Sequence, residues 1–208
     1  FNGNKVTKEY YINDYGNQIR NFVKSVYLRI REIKFDEKFV NEKDLYHGEY
    51  IKEIAKKILI KNKTNFNSLD DNYDLLSKEA LNYSMEMIKN DLNKLGVSHD
   101  NFVSEKSIVE KKNVESAIKK LSLTKHVEEG FLDPPKGEEH KNWKKTKRLI
   151  FKSVLFGDDA NRALQKNDGS WTYFANDLAY HFNKVSRNYD KLINILGADH
   201  TGYIKRIE

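Results

Sequence analysis

The feature that most constrains the fold is a strand-like segment followed by a polar turn and a long helical pattern. Residues 5–12 mix β-branched and aromatic side chains, which is typical of a strand. Residues 13–16 break this pattern, and apolar residues then recur at helical spacing: Ile19, Phe22, Val23, Val26, Ile30 and Ile33. Strand, turn and helix make half of a βαβ unit. The turn is therefore predicted at the carboxyl edge of a parallel sheet, where open α/β sheets bind ligands.

The middle of the chain has a different, helical character. Apolar residues recur at helical spacing within residues 51–59, 76–95 and 108–121, and Gly96 ends the second stretch. The only prolines, Pro134 and Pro135, mark a loop. We predict that residues 45–147 form a mainly helical insertion packed beside the sheet. No strand of the parallel sheet is expected between residues 50 and 125.

Strand-like segments return near the end of the chain. Residues 149–156, 162–166 and 171–173 are short β-like runs with an Asp-Gly turn signal, which favours antiparallel hairpins. A helix is expected from about Phe174 to Ser186. Residues 192–196 form an apolar run typical of a buried parallel strand. The prediction therefore has three segments: residues 1–44 and 148–208, which share the sheet, and the insertion 45–147.

Composition excludes several classes of protein. The chain has no cysteine, which rules out disulfides, thiolate metal sites and cysteine nucleophiles. No apolar run reaches the roughly 18–20 residues needed to cross a bilayer, and no secretory signal is present, so we expect a cytoplasmic protein without a membrane partner. The net charge of +6 suits nucleic acid, although a lysine-rich surface needs no ligand.

Four stretches together resemble the catalytic core of the arginyl-tRNA synthetase family, which is a class I aminoacyl-tRNA synthetase family. They are EYYINDYGNQI at 9–19, YHGEYI at 46–51, FGDD at 156–159 with SWTYFANDLAYH at 170–181, and LINILGADHTGY at 192–203. Residues 95–105 fit the insertion of the same family. Order and spacing match over essentially the whole chain. The resemblance implies part of a Rossmann-like parallel sheet with a mainly helical insertion and a β-hairpin segment.

The resemblance also implies a reaction, the ATP-dependent ligation of L-arginine to its tRNA. The arginine carboxylate attacks the α-phosphorus of ATP, and the tRNA ribose hydroxyl then takes the arginyl group from the adenylate. Mg²⁺ accompanies the ATP, and positioning and charge stabilisation carry catalysis. We therefore assign no catalytic residue and no protein-bound metal. The complete protein is expected to be monomeric.

Two phosphate-binding motifs of the family do not occur in this sequence. These are the His-Ile-Gly-His-type signature and the Lys-Met-Ser-Lys-type loop. They are expected just upstream of Phe1 and shortly beyond Glu208, so the chain is interpreted as an internal fragment of the catalytic domain that is inactive alone. The alternative function is a non-catalytic basic module that binds RNA or a protein.

Tyr173 and Asp177 are the leading candidates for binding arginine. They lie four residues apart at the start of a predicted helix, so they share one face. Asp177 can accept two parallel hydrogen bonds from a guanidinium, and Tyr173 offers a hydroxyl and an apolar wall for the methylene stem. The family binds arginine at these positions. The alternative is an Asp favoured by the helix dipole and a core Tyr.

Further pocket candidates lie in two turns. His200 is assigned to arginine or to the adenosine of ATP, with a structural role beside Asp199 as the alternative. Seven residues are candidates for the pocket on the ATP side: Asn13, Asp14, Gly16, Gln18, Gly197, Asp199 and Gly202. The alternative for Asp14 is an N-cap of the following helix.

Other polar groups favour structural roles. Asp158, Asp159 and Asp168 fall in predicted turns near Arg148 and Arg162, which indicates salt bridges rather than a metal cluster. The basic run at residues 141–148 could meet a phosphate backbone, but a solvated surface strip is the favoured interpretation.

Overall fold

The computed structural model describes residues 3–40, 42–110, 112–132, 146–198 and 204. The chain divides into two units, Phe1–Ser104 and Glu105–Glu208. This division falls inside the stretch predicted as an insertion. The three-segment division at residues 44 and 147 stays a prediction.

The described residues of the first unit form three helices and two short strands. In chain order these are β1 (Glu9–Ile12), α1 (Asn17–Phe35), α2 (Glu49–Lys61), α3 (Leu69–Lys94) and β2 (Asn101–Ser104). The helices bury the apolar faces that the spacing predicts, and their core contains Phe22, Val23, Val26, Ile30, Ile51, Ile54, Ala55, Ile58, Phe66, Leu76 and Ala80. Gly96 has a φ of 72°, a backbone conformation that suits glycine just beyond the end of α3.

The two strands of the first unit pair in parallel. Glu9 lies opposite Asn101 and Ile12 lies opposite Ser104. The prediction that residues 50–125 contribute no strand to the parallel sheet is therefore wrong. The physical reason is length, because a four-residue strand places only two side chains on each face and leaves no alternation to detect.

The second unit combines short helices with an antiparallel sheet. Its elements are α4 (Glu105–Glu110), α5 (Asn113–Ser122), β3 (Val127–Gly130), β4 (Arg148–Phe151), a 3₁₀ turn (Ser153–Phe156), β5 (Arg162–Ala163) and α6 (Tyr173–Val185). The third predicted helical stretch thus forms two helices. Lys112, between them, has a left-handed φ of 54°, which does not continue a right-handed helix.

The antiparallel sheet has the order β3-β4-β5. Val127 lies opposite Phe151, and Phe151 lies opposite Arg162. Beyond β5, Gln165 pairs with Trp171 across a turn in which Gly169 has a φ of 81°. The predicted antiparallel hairpin with an Asp-Gly turn is confirmed, whereas β3 was not expected. The chain is thus a mixed α/β protein rich in helix.

Residues 192–196 do not form the predicted buried parallel strand. No helix or strand covers them, and Ile193 and Ile195 are 74% and 94% exposed. A parallel strand is buried only when neighbouring strands satisfy its backbone and helices cover its faces. Among the described residues no strand pairs with this run, so its apolar composition alone does not make it a strand.

Candidate functional site

The turn after β1 is built around Gly16. Its φ of 88° lies in the left-handed region that glycine adopts readily. Gly16 is the N-cap of α1 and supplies no side-chain hydrogen bond there. The alternative that Asp14 caps this helix is wrong. Asp14 Oδ2 instead accepts a hydrogen bond of 2.6 Å from Ser104 Oγ at the end of β2. The two strand ends are thereby joined by their side chains.

A cavity of about 230 Å³ lies beside this turn, between β1, α1 and α3. Asn13 and Gln18 line it, together with Tyr10, Tyr11, Ile12, Ile19, Phe22, Tyr46, Leu81, Ser84, Met85 and Ile88. Asp14 and Gly16 are not among these lining residues. None of these lining residues, all from the described part of the chain, is charged. Because a triphosphate needs cations or a nest of backbone N–H groups, this cavity suits a neutral ring or amide rather than a phosphate chain.

The start of α6 carries the predicted arginine ligands. Tyr173 is the first residue of the helix and its side chain is 60% exposed, so the alternative of a core tyrosine is wrong. Asp177 is half-buried one turn later. The Lys166 ammonium lies 5.8 Å from the centroid of the Tyr173 ring. A carboxylate and a phenol with this spacing can together contact a cationic side chain.

The face of α6 that packs inside the second unit is a different one. Ala175, Asn176 and Ala179 are buried, and α6 contacts α4 and α5. Residues 173 and 177 share a face of the helix that does not include these three positions. The helix is therefore held by its small residues, while Tyr173 stands outside the core.

Thr172 joins the beginning of α6 to strand β5 and the residue that follows it. Its hydroxyl donates to the Ala163 carbonyl at 2.8 Å and accepts from the Ala175 N–H at 3.2 Å. Its own backbone N–H donates to the Leu164 carbonyl at 3.0 Å. Thr172 is thus the N-cap of α6 and also a link to the sheet.

Asp158 and Asp159 form salt bridges with Arg162, as predicted, whereas Asp168 accepts hydrogen bonds from Ser170 within its turn. Arg162 donates two hydrogen bonds of 2.6 Å to the Asp158 carboxylate and also pairs with Asp159. This guanidinium holds the pKa of the Asp158 carboxyl far below its ordinary value. Within the described ranges, no three His, Asp or Glu side chains are grouped to hold a metal ion.

The remaining predicted candidates belong to the stretch 197–202 near the end of the chain. Asp199, His200 and Gly202 lie outside the described residues, as does most of the basic run at 141–148. Gly197 is described and exposed, in a segment without helix or strand. Their assignments stay predictions.

Sequence reasoning missed three polar residues around these places. Thr172 could have been found, because a threonine immediately before a helical pattern is an N-cap signal. Ser104 has no local signal, since its partner is distant along the chain. His181 lies four residues after Asp177, where burial and the charge of Lys184 lower its imidazole pKa to about 4, so it is neutral at physiological pH.

The described helices were compared with what a membrane span requires. None of those in the described ranges combines the length and the apolar character that a bilayer span requires.

The proteins similar to this chain are amino acid–tRNA ligases. They are arginine–tRNA ligases in particular, and the chain is homologous to them along its whole length. The ligase of Pelagibacter ubique (strain HTCC1062) is 55% identical over 212 residues, which is 100% of this chain and 36% of that protein. The ligase of Wolbachia pipientis wMel is 48% identical over 206 residues, which is 99% of this chain and 36% of that protein.

A solved structure agrees with these relatives. A crystal structure from Campylobacter jejuni, described as an arginyl-tRNA synthetase, superposes with a TM-score of 0.82 at 33% identity and covers 99% of this chain and 42% of that one. No protein-family model matches the chain. The chain spans about 36% of the length of the curated relatives that it matches.

Proposed function

We propose that this chain is part of the catalytic region of an arginine–tRNA ligase, which uses ATP to attach L-arginine to its tRNA in the cytoplasm. The observation that carries the proposal is the face of α6 that bears Tyr173 and Asp177, in a chain homologous to arginine–tRNA ligases throughout. The Rossmann-like sheet of the whole catalytic domain belongs to the same proposal.

Asp177 is proposed to bind the guanidinium of arginine. A carboxylate accepts two parallel hydrogen bonds from this planar group, which a lysine ammonium cannot match in geometry. An uncharged analogue would form fewer and weaker hydrogen bonds with this half-buried carboxylate than a guanidinium does, which favours arginine. Tyr173, whose ring is largely exposed, would lie along the methylene stem.

The cavity beside β1 is proposed to receive a neutral part of a substrate. Its aromatic walls and the amides of Asn13 and Gln18 suit the adenosine of ATP, and its uncharged lining does not suit the triphosphate. Asp14 and Gly16 would shape this edge rather than contact a ligand, because one forms the link to Ser104 and the other begins α1. His200, with Gly197, Asp199 and Gly202, is proposed to contact arginine or adenosine.

The chemistry proposed for the complete enzyme needs no protein nucleophile. The arginine carboxylate attacks the α-phosphorus of ATP, pyrophosphate leaves, and a ribose hydroxyl of the tRNA then displaces AMP. The residues of this chain would bind and orient arginine so that its carboxylate meets the phosphorus. ATP enters with Mg²⁺ as the substrate.

The test is aminoacylation by the complete gene product. Purified protein, ATP, Mg²⁺ and arginine tRNA should attach labelled arginine to the tRNA, and labelled lysine in a matched reaction should give only background. Binding of the tRNA without attachment of any amino acid would contradict the proposal. That result would favour the alternative of a basic module that only binds RNA, which rests on the net charge of +6.

A further inference from the structure

We infer that Thr172 is a positioning residue for arginine recognition, because it ties the helical turn that carries Tyr173 to strand β5 and its end. The inference rests on the proposed function and assigns a role within the same site. Thr172 itself would not touch the substrate.

The hydroxyl of Thr172 both donates and accepts a hydrogen bond. As a donor it reaches the carbonyl of Ala163 at 2.8 Å, and the Leu164 carbonyl is farther away at 3.3 Å. As an acceptor it takes the N–H of Ala175, which is otherwise an unpaired donor of the first helical turn. One oxygen atom thus connects strand β5 to α6.

The partner of this connection is a fixed part of the second unit. Leu164 is completely buried, and Ala163 pairs with Ile150 in the antiparallel sheet. Between Leu164 and Thr172 the chain closes a hairpin through the Lys166 N–H, which donates to the Ser170 carbonyl at 2.7 Å. The first turn of α6 therefore begins from a rigid base.

Loss of the hydroxyl should move the arginine-binding groups without removing them. The backbone bond from Thr172 to Leu164 would remain, so the helix would persist, but its first turn would no longer be fixed to the carbonyl of Ala163. A two-hydrogen-bond pair between Asp177 and a guanidinium depends on orientation, and small displacements weaken it strongly.

The experiment compares Thr172→Val with Thr172→Ser in the complete gene product. Valine keeps the shape and removes both hydroxyl bonds, whereas serine keeps them. We expect Thr172→Val to raise the KM for arginine about tenfold, equivalent to about 1.4 kcal/mol. The KM for ATP should stay within about twofold, and Thr172→Ser should restore the arginine KM to within about twofold of the original.

A second measurement reports on recognition of the guanidinium without the carboxylate. Agmatine has the guanidinium and methylene stem of arginine but no carboxylate, so its inhibition constant should rise in Thr172→Val by a factor similar to that of the arginine KM. A purely structural role would instead lower the active fraction and change arginine and ATP constants together. Thr172→Ala serves as the second hydroxyl-free variant if Thr172→Val does not fold, as judged by circular dichroism.

The outcomes separate the two proposals. If the unaltered protein attaches arginine to tRNA but Thr172→Val leaves the arginine KM unchanged, or raises the ATP KM equally, the role of Thr172 is wrong and the proposed function stands. If the unaltered protein attaches no arginine, both are overturned.

Discussion

Asp158 is the residue whose contacts most clearly hold a local structure. Its side chain is only 5% exposed, and both of its carboxylate oxygens accept hydrogen bonds from Arg162. Nearby, Ser153 Oγ donates to the Ala160 carbonyl at 2.7 Å and closes the same loop. The loop before β5 is thus fixed by ionic and neutral hydrogen bonds together.

Removing the Asp158 charge should destabilise the second unit. Asp158→Asn is expected to lower the free energy of unfolding by about 1.5–3 kcal/mol, because hydrogen bonds to charged groups carry that value. Asp159→Asn is the matched control, since the Asp159 side chain is 70% exposed and its pair with Arg162 should contribute less than about 1 kcal/mol. Urea unfolding followed by fluorescence measures this, because both tryptophans lie within residues 105–208.

The same pair predicts a pH dependence. The folded pKa of Asp158 is lowered from its ordinary value of 3.8, so its stabilisation is present above about pH 4 and is lost as the pH falls below that value. The difference in stability between the original chain and Asp158→Asn should therefore shrink from pH 6 to pH 3. A difference that grows on acidification would contradict the assignment.

At the scale of elements, the Asp14–Ser104 hydrogen bond joins the carboxyl ends of two strands. At the other end of the pair, the Lys8 N–H donates to Asp100 Oδ2 at 2.7 Å. Side chains thus fasten both ends of a four-residue parallel ladder. Two short strands are marginal by themselves, so these contacts help to set their register.

A double-mutant cycle tests that link. Asp14→Ala, Ser104→Ala and the double variant should give a coupling energy between about 0.5 and 3 kcal/mol in the free energy of unfolding. Lys8→Ala with Ser104→Ala is the control pair, because the contact of Lys8 with Asp100 is made by its backbone and should not couple. Additive effects of Asp14→Ala and Ser104→Ala would contradict a contribution of this bond.

Which elements the sequence predicts depends on their length. α1, α2 and α3 are long enough to repeat an apolar face, so Val23, Ile54 and Leu76 are recognised as core residues from spacing alone. The strands β2 and β3, which the sequence does not predict, have four residues each, and neither repeats its pattern. The apolar composition of residues 192–196 predicts a buried strand, but burial depends on neighbouring elements that composition does not specify.

The candidate site shows the same limit. Tyr173 and Asp177 are predicted because the resemblance to the arginyl-tRNA synthetase family implies arginine binding at these positions, and their spacing of four on a helix, a local property, is consistent with it. The link from Asp14 to Ser104 is a contact between distant parts of the chain, so the sequence suggested an N-cap for Asp14 instead. The sequence predicts Asn13, Asp14, Gly16 and Gln18 together as edge residues. Only the structure shows that Asn13 and Gln18 line the cavity while Asp14 and Gly16 do not.

For the whole molecule, the 208 residues alone are expected not to activate arginine. The sequence contains neither phosphate-binding motif of the family, and the cavity beside β1 offers no charge to a triphosphate. ATP–pyrophosphate exchange with arginine and tRNA supplied should therefore stay at the level of a no-protein control, while the complete gene product exchanges. Exchange by the 208 residues that Asp177→Ala abolishes would show that these motifs are dispensable.

The most direct test of the central claim is the KM for arginine of the complete gene product carrying Asp177→Asn. This change keeps the size of the side chain and removes its charge, and each hydrogen bond between charged groups contributes about 1.5–3 kcal/mol. The arginine KM should therefore rise at least about 30-fold, with the ATP KM unchanged. Asp190→Asn, which removes the same charge from an exposed position, should change neither constant. An arginine KM and turnover that Asp177→Asn leaves unaltered would contradict the assignment of Asp177 to the guanidinium.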